Sequence, residues 1–157
     1  KCPFFLCLCP INRLLMGLAN FPIRDISHLI PQKAPFEMVD TLLGFSQTSV
    51  TSSFTIKSDN LFISNGKFTE EGLVENMAQT VALHTGFSYF IENKPAPTGY
   101  IGSIKTVEIF NLPAVKDTLT TTATILHEFM GVTMVEVIVK LGNLELAKGE
   151  MKTVIAK

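Results

Sequence analysis

The chain has 157 residues, of which 46% are hydrophobic and 17% charged, which is enough for one domain with a real core and too little for two comfortable ones. This composition excludes a disordered chain. The formal net charge is −1 with no basic run, which argues against nucleic acid as a partner, because phosphate binding needs clustered Lys and Arg.

All three cysteines, Cys2, Cys7 and Cys9, fall in the first nine residues. The body is therefore expected to lack disulfides and to belong to a reducing compartment, the cytoplasm. Lys1 to Pro10 mimics a signal peptide, but prolines break its apolar run and Asn12 and Arg13 follow at once. We read residues 1–15 as an extension outside the fold, and 16–157, opening at Met16, as a single domain. No membrane association is expected.

Residues 22–31 read as a short helix or turn ending at Ile30-Pro31, and Pro35 keeps the next stretch extended. Phe36 to Phe45 has mixed strand character. Val50, Ser52, Phe54 and Ile56 alternate with Thr51, Ser53 and Thr55, the pattern of a half-buried strand. A helix is predicted over about 69–92, followed by an exposed loop over 92–99 that contains Pro95 and Pro97. The remainder reads as sheet: Tyr100 to Phe110, Thr118 to Phe129, Val132 to Leu141, and, after a Gly142-Asn143 turn, Leu144 to Ala156. Long strands after a single long helix cannot make a parallel βαβ array. They point to an α+β architecture, an antiparallel sheet curled around a central helix.

The most informative segment is Gly72-Leu73-Val74-Glu75-Asn76-Met77-Ala78-Gln79, which sets a carboxylate in the opening turns of a mostly apolar helix. A covered acid needs a partner or a task. Gln79 lies one turn on from Glu75, where its amide can orient the carboxylate. Thr69 is the expected N-cap, with acidic Glu70 and Glu71 in the first turn. An ordinary amphipathic helix with Glu75 at its solvent edge would share this pattern, but the apolar neighbours leave few polar faces.

Ile30-Pro31-Gln32-Lys33-Ala34-Pro35-Phe36-Glu37-Met38-Val39-Asp40 resembles the opening motif of the 3-hydroxyacyl-[acyl-carrier-protein] dehydratases. Glu75-Asn76-Met77-Ala78-Gln79 resembles their Glu-Ala-Met-Ala-Gln helix signature, and Leu112-Pro113-Ala114-Val115-Lys116-Asp117-Thr118-Leu119 their Pro-Val-x-Pro-Gly-Asp-x-Leu turn. With the Gly142 hairpin, the matches cover about residues 26–155 in the right order. The resemblance implies a hotdog fold and dimerisation, as a homodimer or with a related hotdog subunit. It also implies a thioester of acyl carrier protein as substrate.

In that family a loop His and the helix Glu share the proton work of dehydration, and backbone N–H groups at the helix start polarise the thioester. Carried over, Glu75 is the catalytic acid or base, the N–H groups of Gly72 and Leu73 bind the substrate, and Gln79 orients Glu75. Where the family has Gly-His-Phe-Pro-Gly this chain has Ser64-Asn65-Gly66-Lys67-Phe68, so Asn65 stands nearest the missing His. An amide donates a hydrogen bond but does not cycle a proton near neutral pH. The pattern looks closer to divergent dehydratase-like proteins of polyene-pigment and specialised lipid synthesis.

His84 falls on the opposite side of the helix from Glu75, His127 reads as a sheet-edge residue, and His28 could reach a site only across a subunit interface. Lys33, Lys67 and Lys105 are candidates for docking an acidic carrier. No metal site or cofactor fingerprint is present. Three functions stay open: a dehydratase-like enzyme using Glu75 with Asn65 or water, a hotdog thioesterase, and a non-catalytic partner subunit.

Overall fold

The computed structural model describes residues 20–156. The cysteines, Met16 and the proposed 1–15 extension lie outside the described residues. In chain order the elements are β1 (Thr41–Phe45), β2 (Ser49–Thr55), β3 (Ile63–Ser64), β4 (Lys67–Phe68), α1 (Glu70–Ile91), β5 (Gly99–Ile109), β6 (Thr118–Phe129), β7 (Val132–Leu141) and β8 (Leu144–Ile155). Six strands form one sheet in the order β1-β2-β6-β7-β8-β5, every neighbouring pair antiparallel. The helix lies across this sheet against β2, β5, β6 and β7. This is the α+β arrangement that the residue pattern implies, and the hotdog fold that the resemblance implies.

The alternation expected in the strands decides which face meets the helix. Val50, Ser52 and Phe54 of β2, Leu119, Thr121 and Ala123 of β6, and Val135, Val137 and Val139 of β7 are all buried. They pack around Leu73, Met77, Leu83 and Phe87 of α1. Register shifts in the β1–β2, β5–β8, β6–β7 and β7–β8 pairs are irregularities of the kind that bend a sheet and let it curl around one helix.

Within 22–31 the chain makes a turn, one of the two forms expected there, with the Asp25 carboxylate accepting from the Ser27 hydroxyl and N–H. The Lys33 ammonium donates to the carbonyls of Ser27 and Ile30. Residues 36–38 lie outside β1 because helix side chains, described below, take their backbone hydrogen bonds. The small β3–β4 hairpin escapes a strand reading because each arm is only two residues long.

Candidate active site

The start of α1 is built as its residues predict. Thr69 caps the helix, its hydroxyl accepting from Gly72 N–H at 3.4 Å and its carbonyl from Leu73 N–H at 3.1 Å. The N–H groups of Gly72 and Leu73 close the cap, and both residues are buried. A Cβ on Gly72 would stand 2.6 Å from the Phe68 ring and 2.7 Å from Phe62 Cβ, so glycine serves close packing at this point. Glu71 is exposed, and its own N–H, then the Thr69 hydroxyl, hold its carboxyl below the usual range.

One turn further on, four polar side chains reach inward. Gln79 accepts from Met38 N–H at 2.7 Å and donates from Nε2 to Phe36 O and to Glu75 Oε1, each at 2.7 Å. Because Met38 N–H is a donor, Gln79 Oε1 must face it. The two Nε2 hydrogens then fall to the carbonyl and the carboxylate. Asn76 donates to Met38 O at 2.7 Å and accepts from the Thr121 hydroxyl at 2.6 Å. Thr80 donates to Asn76 O and shares a 2.7 Å bond with Ser52.

Asn76, Gln79, Thr80, Ser52 and Thr121 are all inaccessible to solvent, a placement that is tolerable because each is hydrogen-bonded. The helix signature therefore clamps the opening motif: Gln79 and Asn76 grip residues 36–38 by their backbone. Asn76 is a site residue that the sequence reading does not single out. Its signal is the spacing of Asn76, Gln79 and Thr80 on one helix face.

Glu75 is half-buried and borders two concavities. One, of about 730 Å³, is lined by Phe62, Glu70, Glu71, Val74, Val107 and Ile109 together with Glu75. The other is a cleft of about 570 Å³ whose floor is the Glu75, Ala78, Ala82 and Thr85 face of α1. Residues 28–32 wall it on one side, and residues 96–101 with 153–155 on the other. Gln32 lines this cleft, and its Oε1 is buried without a hydrogen-bond partner.

Asn65 is placed differently. It is exposed at the tip of the β3–β4 hairpin with φ 50°, followed by Gly66 at 75°, the backbone of a two-residue turn that favours Asn-Gly. It lines neither concavity bordered by Glu75.

His84 and His127 line neither concavity that Glu75 borders, whereas His28 lines the 570 Å³ cleft together with Glu75, within one chain and without the subunit interface expected for it. His28 packs on Phe90 with ring centroids 4.7 Å apart. His84 bonds Ser46 O at 3.1 Å and stacks on Phe45, and burial pushes its pKa down. His127 is exposed beside an irregularity in the β6–β7 register. Of the candidate docking lysines, Lys33 caps a turn and Lys105 pairs with Glu150 at 2.6 Å, while Lys67 is exposed in β4. Among the described residues no group of three His, Cys, Asp or Glu is placed to hold a metal ion, and no helix is long and apolar enough to cross a membrane.

A glutamate held by a glutamine thus stands on a covered helix beside a cleft. The family model described as ApeP dehydratase, ApeP-like, matches residues 24–156, and the chain belongs to that family. Among solved structures it is similar to the dehydratase heterocomplex ApeI:P from Xenorhabdus doucetiae, with 16% identity and TM-score 0.78 over 88% of this chain and 93% of that one. It is also similar to smu.793 from Streptococcus mutans bound to acetyl CoA, at 15% identity and TM-score 0.60 over 81% and 95% of the two chains. The E. coli PaaI protein from the phenylacetic acid degradation operon shares the fold at 12% identity and TM-score 0.57 over 72% and 80%. No curated protein sequence matches.

Proposed function

We propose that this chain acts in the dehydration of 3-hydroxyacyl thioesters carried by acyl carrier protein, with Glu75 handling the proton. The observation that carries the reading is the Glu75–Gln79 pair at the edge of the 570 Å³ cleft, within a dehydratase family. The reaction removes a proton from C2 and expels the C3 hydroxyl as water, which needs one base and one acid. Gln79 engages Glu75 Oε1 as an acceptor, so Oε2 is the oxygen left to carry the proton. A carboxylate oriented this way can deprotonate C2 or, once protonated, assist the leaving hydroxyl.

A second group is required, and we assign it to a related hotdog subunit. None of the hydrogen bonds found for the three histidines reaches Glu75, and Asn65 serves a turn. A solved neighbour is a dehydratase heterocomplex. β5 also offers its outer edge: among the described residues it pairs only with β8, and it exposes Tyr100, Ile101 and Ile104, and such an edge invites a second sheet. The same features support a companion reading in which this chain is the non-catalytic half of such a pair. Glu70, Glu71 and Glu75 around the 730 Å³ depression would repel an acidic carrier, so the thioester arm is assigned to the 570 Å³ cleft.

Intact-mass measurement of a 3-hydroxyacyl carrier-protein thioester incubated with the protein, alone and together with a related hotdog subunit, tests this, beside Glu75→Gln. Loss of water that vanishes in the variant supports the assignment. Release of free acid would select the thioesterase alternative. An unchanged substrate that is dehydrated only after a hotdog partner is added, equally well with Glu75→Gln, would make this chain the non-catalytic half.

A further inference from the structure

Asn76 has no access to solvent, and it stands where the Glu-Ala-Met-Ala-Gln signature that this helix resembles has alanine. Burying an amide is unfavourable unless it is hydrogen-bonded, so its partners show what it holds. Nδ2 donates to Met38 O at 2.7 Å, and Oδ1 accepts from the Thr121 hydroxyl at 2.6 Å. Met38 is itself fully buried and is held at three points. Asn76 takes its carbonyl, Gln79 Oε1 takes its N–H, and Asn60 Nδ2 lies 3.2 Å from its sulfur.

Every bond in this chain has a fixed direction, because a main-chain carbonyl only accepts and a main-chain N–H only donates. Met38 O turns Asn76 Nδ2 toward itself, which leaves Oδ1 to Thr121. Met38 N–H turns Gln79 Oε1 toward itself, which leaves Nε2 to Phe36 O and Glu75 Oε1. Turning the Gln79 amide over would set N–H against N–H at Met38 and oxygen against oxygen at Phe36 and Glu75. The segment 36–38 therefore dictates which end of Gln79 meets the carboxylate, as long as it stays within reach. Among the described residues, Asn76 is the other side chain of α1 that holds the backbone of this segment.

We propose that Asn76 is a positioning residue for Glu75: by fixing Met38 it keeps the segment 36–38 where Gln79 Nε2 is presented to Glu75 Oε1. This rests on the reading above in which Glu75 handles the proton. With Oε1 always facing a donor, the proton is carried on Oε2, and an unfixed Gln79 would let the carboxylate turn away from that arrangement. The same buried cluster contains a contrast. Ser52 and Thr80 share a 2.7 Å bond, and Thr80 donates to Asn76 O. These bonds tie α1 to β2 and to its own backbone without touching Met38 or Gln79.

Asn76→Ala, Thr121→Val and Ser52→Ala in the 157-residue protein separate positioning from stability. Two quantities are read: hydrogen exchange of the Gln79 side-chain NH2 by NMR, and kcat and KM on a 3-hydroxyacyl carrier-protein thioester, with a related hotdog subunit present. Asn76→Ala should speed exchange at Gln79 and lower kcat about three- to tenfold at unchanged KM, the size of one neutral hydrogen bond. Thr121→Val keeps the shape of its side chain and leaves Asn76 Oδ1 unpaired, so it should show the same change to a smaller degree. It carries the test alone if Asn76→Ala does not fold. Ser52→Ala should lower the melting temperature yet leave both readouts at their wild-type values. Unchanged Gln79 exchange and kcat in the folded Asn76 and Thr121 variants would overturn the proposal, and so would an equal change in Ser52→Ala, which would make the cluster purely structural. If exchange at Gln79 responds as expected but wild type dehydrates no 3-hydroxyacyl thioester, the lyase reading falls while the positioning of the carboxylate stands.

Discussion

Gln79 Nε2 lies 2.7 Å from Glu75 Oε1 while the same amide holds Phe36 O and Met38 N–H, each also at 2.7 Å. The carboxylate is therefore oriented by a side chain that is itself fixed by backbone from a distant part of the sequence. The orientation of Glu75 and the attachment of residues 36–38 share one residue, so a change at Gln79 should disturb both.

Gln79→Met should destabilise the protein by about 2–4 kcal/mol, since it leaves a buried N–H and a carbonyl without partners. Urea denaturation measures it. In any dehydration assay the variant should lose kcat beyond what its folded fraction explains, because Glu75 is no longer held. An unaltered denaturation midpoint would show that 36–38 is anchored by something else.

Gly86→Ala should cost about 1–3 kcal/mol, because the new methyl group would collide with the Leu29 carbonyl, a backbone atom that cannot rotate away. The strain should appear locally. Hydrogen exchange over 26–32 should accelerate, while the β7 and β8 amides keep their protection. Uniform acceleration would mean that the segment and the sheet open together.

Met130 takes φ 52° at the β6–β7 turn and is 84% exposed. A left-handed conformation suits Asn better than a long unbranched side chain. Met130→Asn should raise stability by about 0.5–1 kcal/mol, read as an increase in melting temperature at unchanged activity.

His84 should make stability depend on pH in the mildly acidic range. Burial lowers its pKa below the ordinary 6.5, against the raising effect of the Ser46 and Gln47 backbone and of Glu128. The unfolded chain then binds the proton more readily than the folded one. Its contribution is complete above about pH 6.5 and is lost as pH falls toward the depressed folded value. Asp25, Glu71 and Glu150 have lowered carboxyl pKa values, so their contributions are lost only at more acidic pH, from the ordinary carboxylate range downward. His84→Gln should flatten the profile between about pH 5 and about pH 7, where histidine charge changes, and leave the more acidic decline. A profile unchanged by the substitution would assign the step elsewhere.

Local pattern was sufficient for much of this protein. The alternation in Val50 to Ile56 and in Leu119 to Ala123 specifies which face of each strand is buried, because side chains alternate across a strand whatever it pairs with. Thr69 as N-cap and the Glu75–Gln79 contact were equally legible, since both depend on helix spacing alone. Tertiary structure decided what spacing cannot express. Asn65 belongs to a turn whose strands are too short to show a period. The N–H groups of Gly72 and Leu73 are taken by the cap. Gln32 and Glu75, 43 positions apart in the sequence, line one cleft only because the opening segment folds back along the helix. Hydrogen-bond satisfaction is a property of the packed chain, and so the unpaired oxygen of Gln32 could not be read before the fold brought its surroundings together.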